Sequence, residues 1–194
     1  MAVGTAAGRP RASLIECVSL AAMASAAVAL PTLIAFNVAP SATFFNQAAA
    51  YVGWGGFLIL IAARLPRHAW PRSPGALALL AAMTLAAVAA VAASAFGVVP
   101  WSLSLSSTGT ILASMLCIAV GASVQRAGFA ERVFLAFCIG LVVAGFGSTL
   151  IGLLQVFAPR LPDGDWIAIA AIAGRATGNL RQPNHLSSLL LWSV

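Results

Sequence analysis

Five long apolar runs, at 14–36, 45–63, 75–97, 108–124 and 133–156, limit this chain more than any other feature. At ~1.5 Å of rise per residue, a helical run of about twenty residues crosses a ~30 Å hydrocarbon layer. Inside that layer no water can satisfy the backbone, so each run has to close its own hydrogen bonds as a helix. Charged residues make up 7% of the sequence, against about 25% in a water-soluble domain. The expected fold is therefore all-α: a polytopic integral membrane helix bundle with five complete spans and the start of a sixth. The lipid bilayer is its first partner.

The charges that do occur are patterned. There are ten arginines and no lysine. No basic stripe alternates with aromatic residues, which excludes nucleic-acid binding despite the net charge of +6. The first run contains Ala24-Ser25-Ala26, which mimics a signal-peptidase site. The run is nevertheless longer than a 7–15-residue signal core, so it reads as a span. The leader (Arg9, Arg11), the second turn (Arg64, Arg67, Arg72) and the fourth turn (Arg126, Arg132) hold seven of the ten arginines, and the first and third turns hold none. By the positive-inside rule the N-terminus lies in the cytoplasm, and everything after Phe157 lies on the outer face.

Other polar or small residues have plain readings. Gly53, Gly55 and Gly56, and later Gly140, Gly145 and Gly147, suit close helix contact. The segment 98–107 reads as an uncharged loop with Trp101 as an interface anchor. His68 reads as a surface residue of a basic turn, and Glu16 as an interfacial acid. Cys17, Cys117 and Cys138 each sit in an apolar run without metal-ligand spacing and are expected to act as small hydrophobes. No metal and no cofactor is expected.

Residues 1–157 thus form the bundle, 158–183 an outer loop and 184–194 a sixth helix that stops at Val194, so that the chain is expected to be incomplete. Asp163 and Asp165 read as a solvated turn rather than a metal site. The apolar stretch 166–173 is too short to cross and is expected at the interface, with Trp166 as anchor. Then Arg175, Thr177, Asn179, Arg181, Gln182, Asn184 and His185 gather within a dozen residues. Two frames can start the sixth helix. Pro183 fits the first helical position with Gln182 extended before it; alternatively Asn179 caps the helix and Gln182 reciprocates. Asn184, Ser187 and Ser188 fall at i, i+3 and i+4, with His185 beside them, and this stripe is expected to face the bundle interior or a wet cavity. A helix N-terminus with Arg175 and Arg181 beside it suits an anion, and a lipid-borne phosphate fits the location.

The run Gly174-Arg175-Ala176-Thr177-Gly178-Asn179-Leu180-Arg181-Gln182-Pro183-Asn184-His185-Leu186, followed by Ser-Ser-Leu-Leu-Leu, resembles the signature of bacterial protein glycosylation ligases. These pilin-type O-oligosaccharyltransferases are kin to O-antigen ligases and polymerases. The resemblance covers about twenty residues, through a Gly-Asn-x-x-Gln-Pro-Asn-His core. It implies a glycosyltransferase of the bacterial inner membrane that moves glycan from polyprenyl diphosphate to a hydroxyl at the periplasmic face. The acceptor would be a pilin-like protein or a lipid-core sugar. It implies substrate-binding roles for Arg175, Asn179, Arg181, Gln182, Asn184 and His185, with Arg175 and Arg181 on diphosphate charge and Gln182 on donor orientation. Family members carry a catalytic His in a large periplasmic loop, so the catalytic residues are expected beyond residue 194 and these residues alone are expected to be inactive. Two other classes stay open: part of a carrier for lipid-linked substrates, and a non-catalytic membrane scaffold.

Overall fold

A computed structural model describes residues 14–36, 44–66, 73–172 and 174–194. Arg9, Arg11, Arg67, His68 and Arg72 lie outside the described residues, as does most of the first turn. Among the described residues six helices follow one another: α1 (Leu14–Leu33), α2 (Phe44–Ala62), α3 (Pro74–Ala95), α4 (Trp101–Arg126), α5 (Ala130–Phe157) and the short α6 (Pro183–Trp192). The described residues contain no strand. The first five helices are long and apolar enough to cross a membrane. The chain is an all-α, multi-pass membrane protein.

The fourth helix differs from the sequence expectation. It begins at Trp101, so most of the expected 98–107 loop is helical. Pro100 stands at its N-cap, and its carbonyl accepts from Leu103 N and Ser104 N at 3.0 and 3.2 Å. The serines of this segment made it read as a loop. A hydroxyl on a helix, however, can be satisfied by a carbonyl of its own or a neighbouring helix. Ser104 Oγ donates to Ala90 O of α3 at 2.7 Å, which ties the two helices together.

α1 runs between α2 and α5, and glycines set its distance from both. A methyl group placed on Gly53 of α2 would lie 2.7 Å from Ala27 Cα, and one on Gly140 of α5 would lie 2.7 Å from Ala24 O. Neither backbone can retreat from such a contact, so only glycine allows the approach. Gly147 similarly receives Leu33, whereas Gly55 meets nothing within 4 Å. Leu20, Ala24, Ala27, Phe57, Ile61 and Ala136 fill the resulting seam. Trp54 joins it, with ring centroids 6.0 Å from Phe57 and 5.9 Å from Phe137. In lipid, where burial of apolar surface drives little, this dense contact is the main source of helix association. α3 contrasts with α1: it packs on α4, and its sole buried residue is Ser94.

The C-terminal end of α1 needs partners, because the last carbonyls of a helix have no intrahelical donor. Asn46 Nδ2, on the first turn of α2, donates to Pro31 O at 2.7 Å and Ile34 O at 2.9 Å. Leu33 O and Ala35 O, at the same end, are met from the distant loop between α5 and α6.

Candidate functional site

That loop is seated by two buried amides. The first is Gln155, near the end of α5 and 2% exposed. Its Oε1 accepts from both Thr177 N and Gly178 N at 2.9 Å, and its Nε2 donates to Ala168 O at 2.7 Å and Gly178 O at 3.2 Å. One side chain thereby closes both halves of the loop onto the helix. Gln155 lies outside the polar cluster that the sequence marks. The available signal was an uncharged amide inside an otherwise apolar span, where an unpaired polar group is costly and must find partners.

The second amide is Asn179, 3% exposed. Its Oδ1 accepts from Ala168 N at 2.9 Å, and its Nδ2 donates to Leu33 O at 2.6 Å and Trp166 O at 3.0 Å. This satisfies its two donors and places one bond on its acceptor. Of the two frames for α6, the one with Asn179 as cap is therefore overturned: its amide holds the loop to α1 instead. The other frame describes the helix. Gln182 is the N-cap residue, extended at φ −135° and ψ 127°, Pro183 follows at the first helical position, and Leu186 N donates to Gln182 O at 3.1 Å.

Arg181 adopts φ 59°, the described non-glycine residue with positive φ. The left-handed conformation is unfavourable for an arginine and persists where the surroundings impose it. Here its Nη2 donates to Ala35 O at 2.8 Å, just past the end of α1. Asn179 and Arg181 thus bond Leu33 O and Ala35 O, beside the Pro31 and Ile34 carbonyls that Asn46 holds. A cation suits that negative end of the helix dipole.

Thr177 is buried as well, and the rest of the polar cluster faces outward. Arg175, Gln182, Asn184 and His185 are exposed, and among the described residues no side-chain hydrogen bond engages them. The expected inward stripe is not formed. Ser187 Oγ donates to Pro183 O at 2.6 Å and Ser188 Oγ to Asn184 O at 2.9 Å, and both serines are exposed along with Asn184. The hydroxyls are satisfied by their own helix, so they need no wet cavity. Leu186 instead faces inward, 5% exposed, against Gly152 and Gly178, and Ser193 seats on Gly145 further along α5.

The described part of that stretch, 166–172, is irregular, with Trp166 and Ile169 exposed and Ala168 buried. Asp163 organises the turn before it. Its Oδ1 accepts from Asp165, Trp166 and Ile167 N at 3.0, 2.8 and 3.2 Å. The N–H groups of Trp166 and then Ile167 hold this carboxyl below the usual carboxylate range. Gly164, Ala168, Ile169, Ala171, Thr177 and Arg181 line an open recess of about 370 Å³ beside it.

The arrangement offers two cations and several neutral donors on a backbone fixed from below. The family model for protein glycosylation ligases matches residues 176–194, which covers Thr177 through α6 and begins just after Arg175. No curated protein and no solved structure matches the chain. Over this stretch the chain is similar to that family.

Proposed function

We propose that the loop 158–182 and the first turn of α6 form the donor-binding part of a membrane O-oligosaccharyltransferase related to O-antigen ligases. The donor is a glycan on polyprenyl diphosphate, bound at the periplasmic face of the bacterial inner membrane. In the reaction the oxygen of an acceptor hydroxyl attacks the anomeric carbon. The bond from that carbon to the diphosphate oxygen breaks, a base takes the hydroxyl proton, and polyprenyl diphosphate leaves. Cations lower the cost of the charge that gathers on the leaving group. Arg175 and Arg181 are suited to this, since guanidinium meets phosphate oxygens in pairs. Gln182, Asn184 and His185 add outward-facing polar groups at the helix start for the sugar and the diphosphate. Asn179 and Gln155 support the loop from beneath.

The observation that carries this reading is the division within the cluster. Two buried amides spend their hydrogen bonds on fixing the loop, while Arg175, Gln182, Asn184 and His185 remain exposed above it. A loop that served only to start a helix would not need four outward polar side chains. The similarity of residues 176–194 to protein glycosylation ligases supports the same reading.

The test is equilibrium binding of polyprenyl diphosphate to the chain in nanodiscs of zwitterionic lipid. Wild type is expected to bind, and Arg175→Ala and Arg181→Ala are each expected to weaken binding roughly tenfold, as for a lost charge-assisted contact. Affinity unchanged in both variants, or no binding by wild type, would overturn the proposal.

A further inference from the structure

We infer that Arg181 is the specificity-determining cation of the loop, a fixed guanidinium fork that lysine cannot replace, and that Gln155 is the residue that positions it, whereas Arg175 acts by charge alone. This rests on the function proposed above and gives unequal parts to two arginines that the function alone treats alike.

Arg181 is tied at both ends. Its backbone sits at φ 59° and closes a turn, with its N–H donating to Gly178 O at 3.5 Å. At the far end Nη2 donates to Ala35 O at 2.8 Å, and Ala35 is itself buried in the bundle. The residue as a whole is nevertheless exposed, and with Thr177 it lines the open recess of about 370 Å³. A ligand can therefore reach a guanidinium whose direction is already set. Such a group carries five N–H donors. Among the described residues Ala35 O is its partner, so most of the fork remains for an oxyanion. Paired donors held in one plane match phosphate oxygens two at a time. Because the side chain is ordered beforehand, binding loses less rotamer freedom. An ammonium is a point charge without that fork.

Arg175 lacks both ties. It follows Gly174, at φ 77°, and its N–H donates to Ile172 O at 3.2 Å. Its side chain is exposed, makes no hydrogen bond among the described residues, and does not line the recess. A cation so placed attracts an anion through its field, and lysine supplies the same charge.

Gln155 sets the turn from which Arg181 projects. Its Oε1 accepts from Gly178 N at 2.9 Å and its Nε2 donates to Gly178 O at 3.2 Å. One carboxamide thereby grips both polar groups of the residue whose carbonyl opens the Arg181 turn. Gly178 is at φ 58°, and a methyl group on it would lie 3.2 Å from Leu186 Cδ1. The path runs from α5 through the Gly178 peptide to the fork. Gln155 is buried and its hydrogen bonds all go to backbone groups of the loop, so it acts through Arg181 rather than on the ligand.

The experiment titrates polyprenyl diphosphate against the full chain in nanodiscs of zwitterionic lipid, with helix content followed by circular dichroism. Arg181→Lys is expected to weaken binding roughly tenfold, as much as Arg181→Ala, and Arg175→Lys to stay within about twofold of wild type. Gln155→Met keeps much of the side-chain volume and removes the hydrogen bonds. It is expected to weaken binding several-fold in the wild-type and Arg175→Ala backgrounds, and by less than about twofold in the Arg181→Ala background, where the residue it acts through is already gone. Gly178→Ala disturbs the same turn from the other side and should repeat that pattern, which separates positioning from damage at Gln155. The Arg→Lys pair reads the fork independently of both. Arg181→Lys binding like wild type, Arg175→Lys losing as much as Arg181→Lys, or a Gln155→Met loss equal in all three backgrounds would overturn the inference. Each of those outcomes leaves wild-type binding in place, so the function proposed above survives them. Should wild type bind no polyprenyl diphosphate, both fall.

Discussion

The unit of α1, α2 and α5 and the hairpin of α3 and α4 have similar composition and are built differently. Both are runs of Ala, Leu, Val and Gly that can cross a membrane. In the first, glycines bring backbones into contact, and the loop after α5 is bonded down by Gln155, Asn179 and Arg181. In the second, α3 buries only Ser94 and leaves Leu85 71% exposed. The difference teaches where specificity arises in lipid. Hydrophobicity puts every span into the bilayer, but it does not choose neighbours. Close approach and buried hydrogen bonds do, and they are concentrated beneath the polar loop.

Substitutions can break this comparison, and the largest effect is expected at Gly140. Leucine there collides with the Ala24 carbonyl and forces α1 and α5 apart, with a cost of about 3 kcal/mol or more. Leu85→Ala on α3 leaves no cavity and should change stability by less than about 0.5 kcal/mol. Thermal unfolding of the two variants in one detergent checks the contrast, and equal shifts would erase the distinction between the regions.

Gln155→Leu should come next. It leaves the buried Thr177 and Gly178 N–H groups without an acceptor, at about 1–3 kcal/mol each. The expected outcome is a loop released from the bundle, read as faster tryptic cleavage at Arg160 and Arg175 with the five long helices intact. Asn179→Ala should release the loop to a smaller degree, since it leaves the Ala168 N–H as the one orphaned donor, along with the Leu33 and Trp166 carbonyls. Gln155 and Asn179 share Ala168, so the double variant should cost less or more than the sum, by at least about 0.5 kcal/mol. Strict additivity would show that the two amides act separately.

The smallest effect belongs to Asp163. Its carboxyl titrates below its ordinary value, so the turn it holds is favoured at neutral pH and weakens as pH falls through that lowered value. The protection factors at Trp166 and Ile167, taken against the intrinsic exchange rate at each pH, should fall in acid in wild type. In Asp163→Ala they should be low at every pH, with helix packing unchanged. Protection that is independent of pH would remove the carboxylate from the account.

Several elements of the fold were legible because one physical rule fixed each. The five spans follow from apolar length, and one of the two frames open for the start of α6 follows from the fixed φ of Pro183 with extended Gln182 before it. The places that misled were those where polarity alone was read. The serines after Pro100, and Ser187 and Ser188 on α6, looked like loop and inward stripe. Their hydroxyls bond to helix carbonyls, a choice that sequence spacing leaves open. Asn179 looked like a cap or a ligand group, and its partner Leu33 is 146 residues away. Gln155 has no polar neighbour in sequence, so spacing alone does not set it apart from the apolar run around it.

The sequence by itself determined that this chain enters a bilayer as helices, since a backbone without water must bond to itself and only long apolar runs can remain there. It also marked the one polar cluster. The tertiary structure alone decided which members of that cluster are buried and which face outward. That division depends on which helix ends lie close enough to supply carbonyls and amides, and such partners are set by the packing of α1 against α5, far apart along the chain.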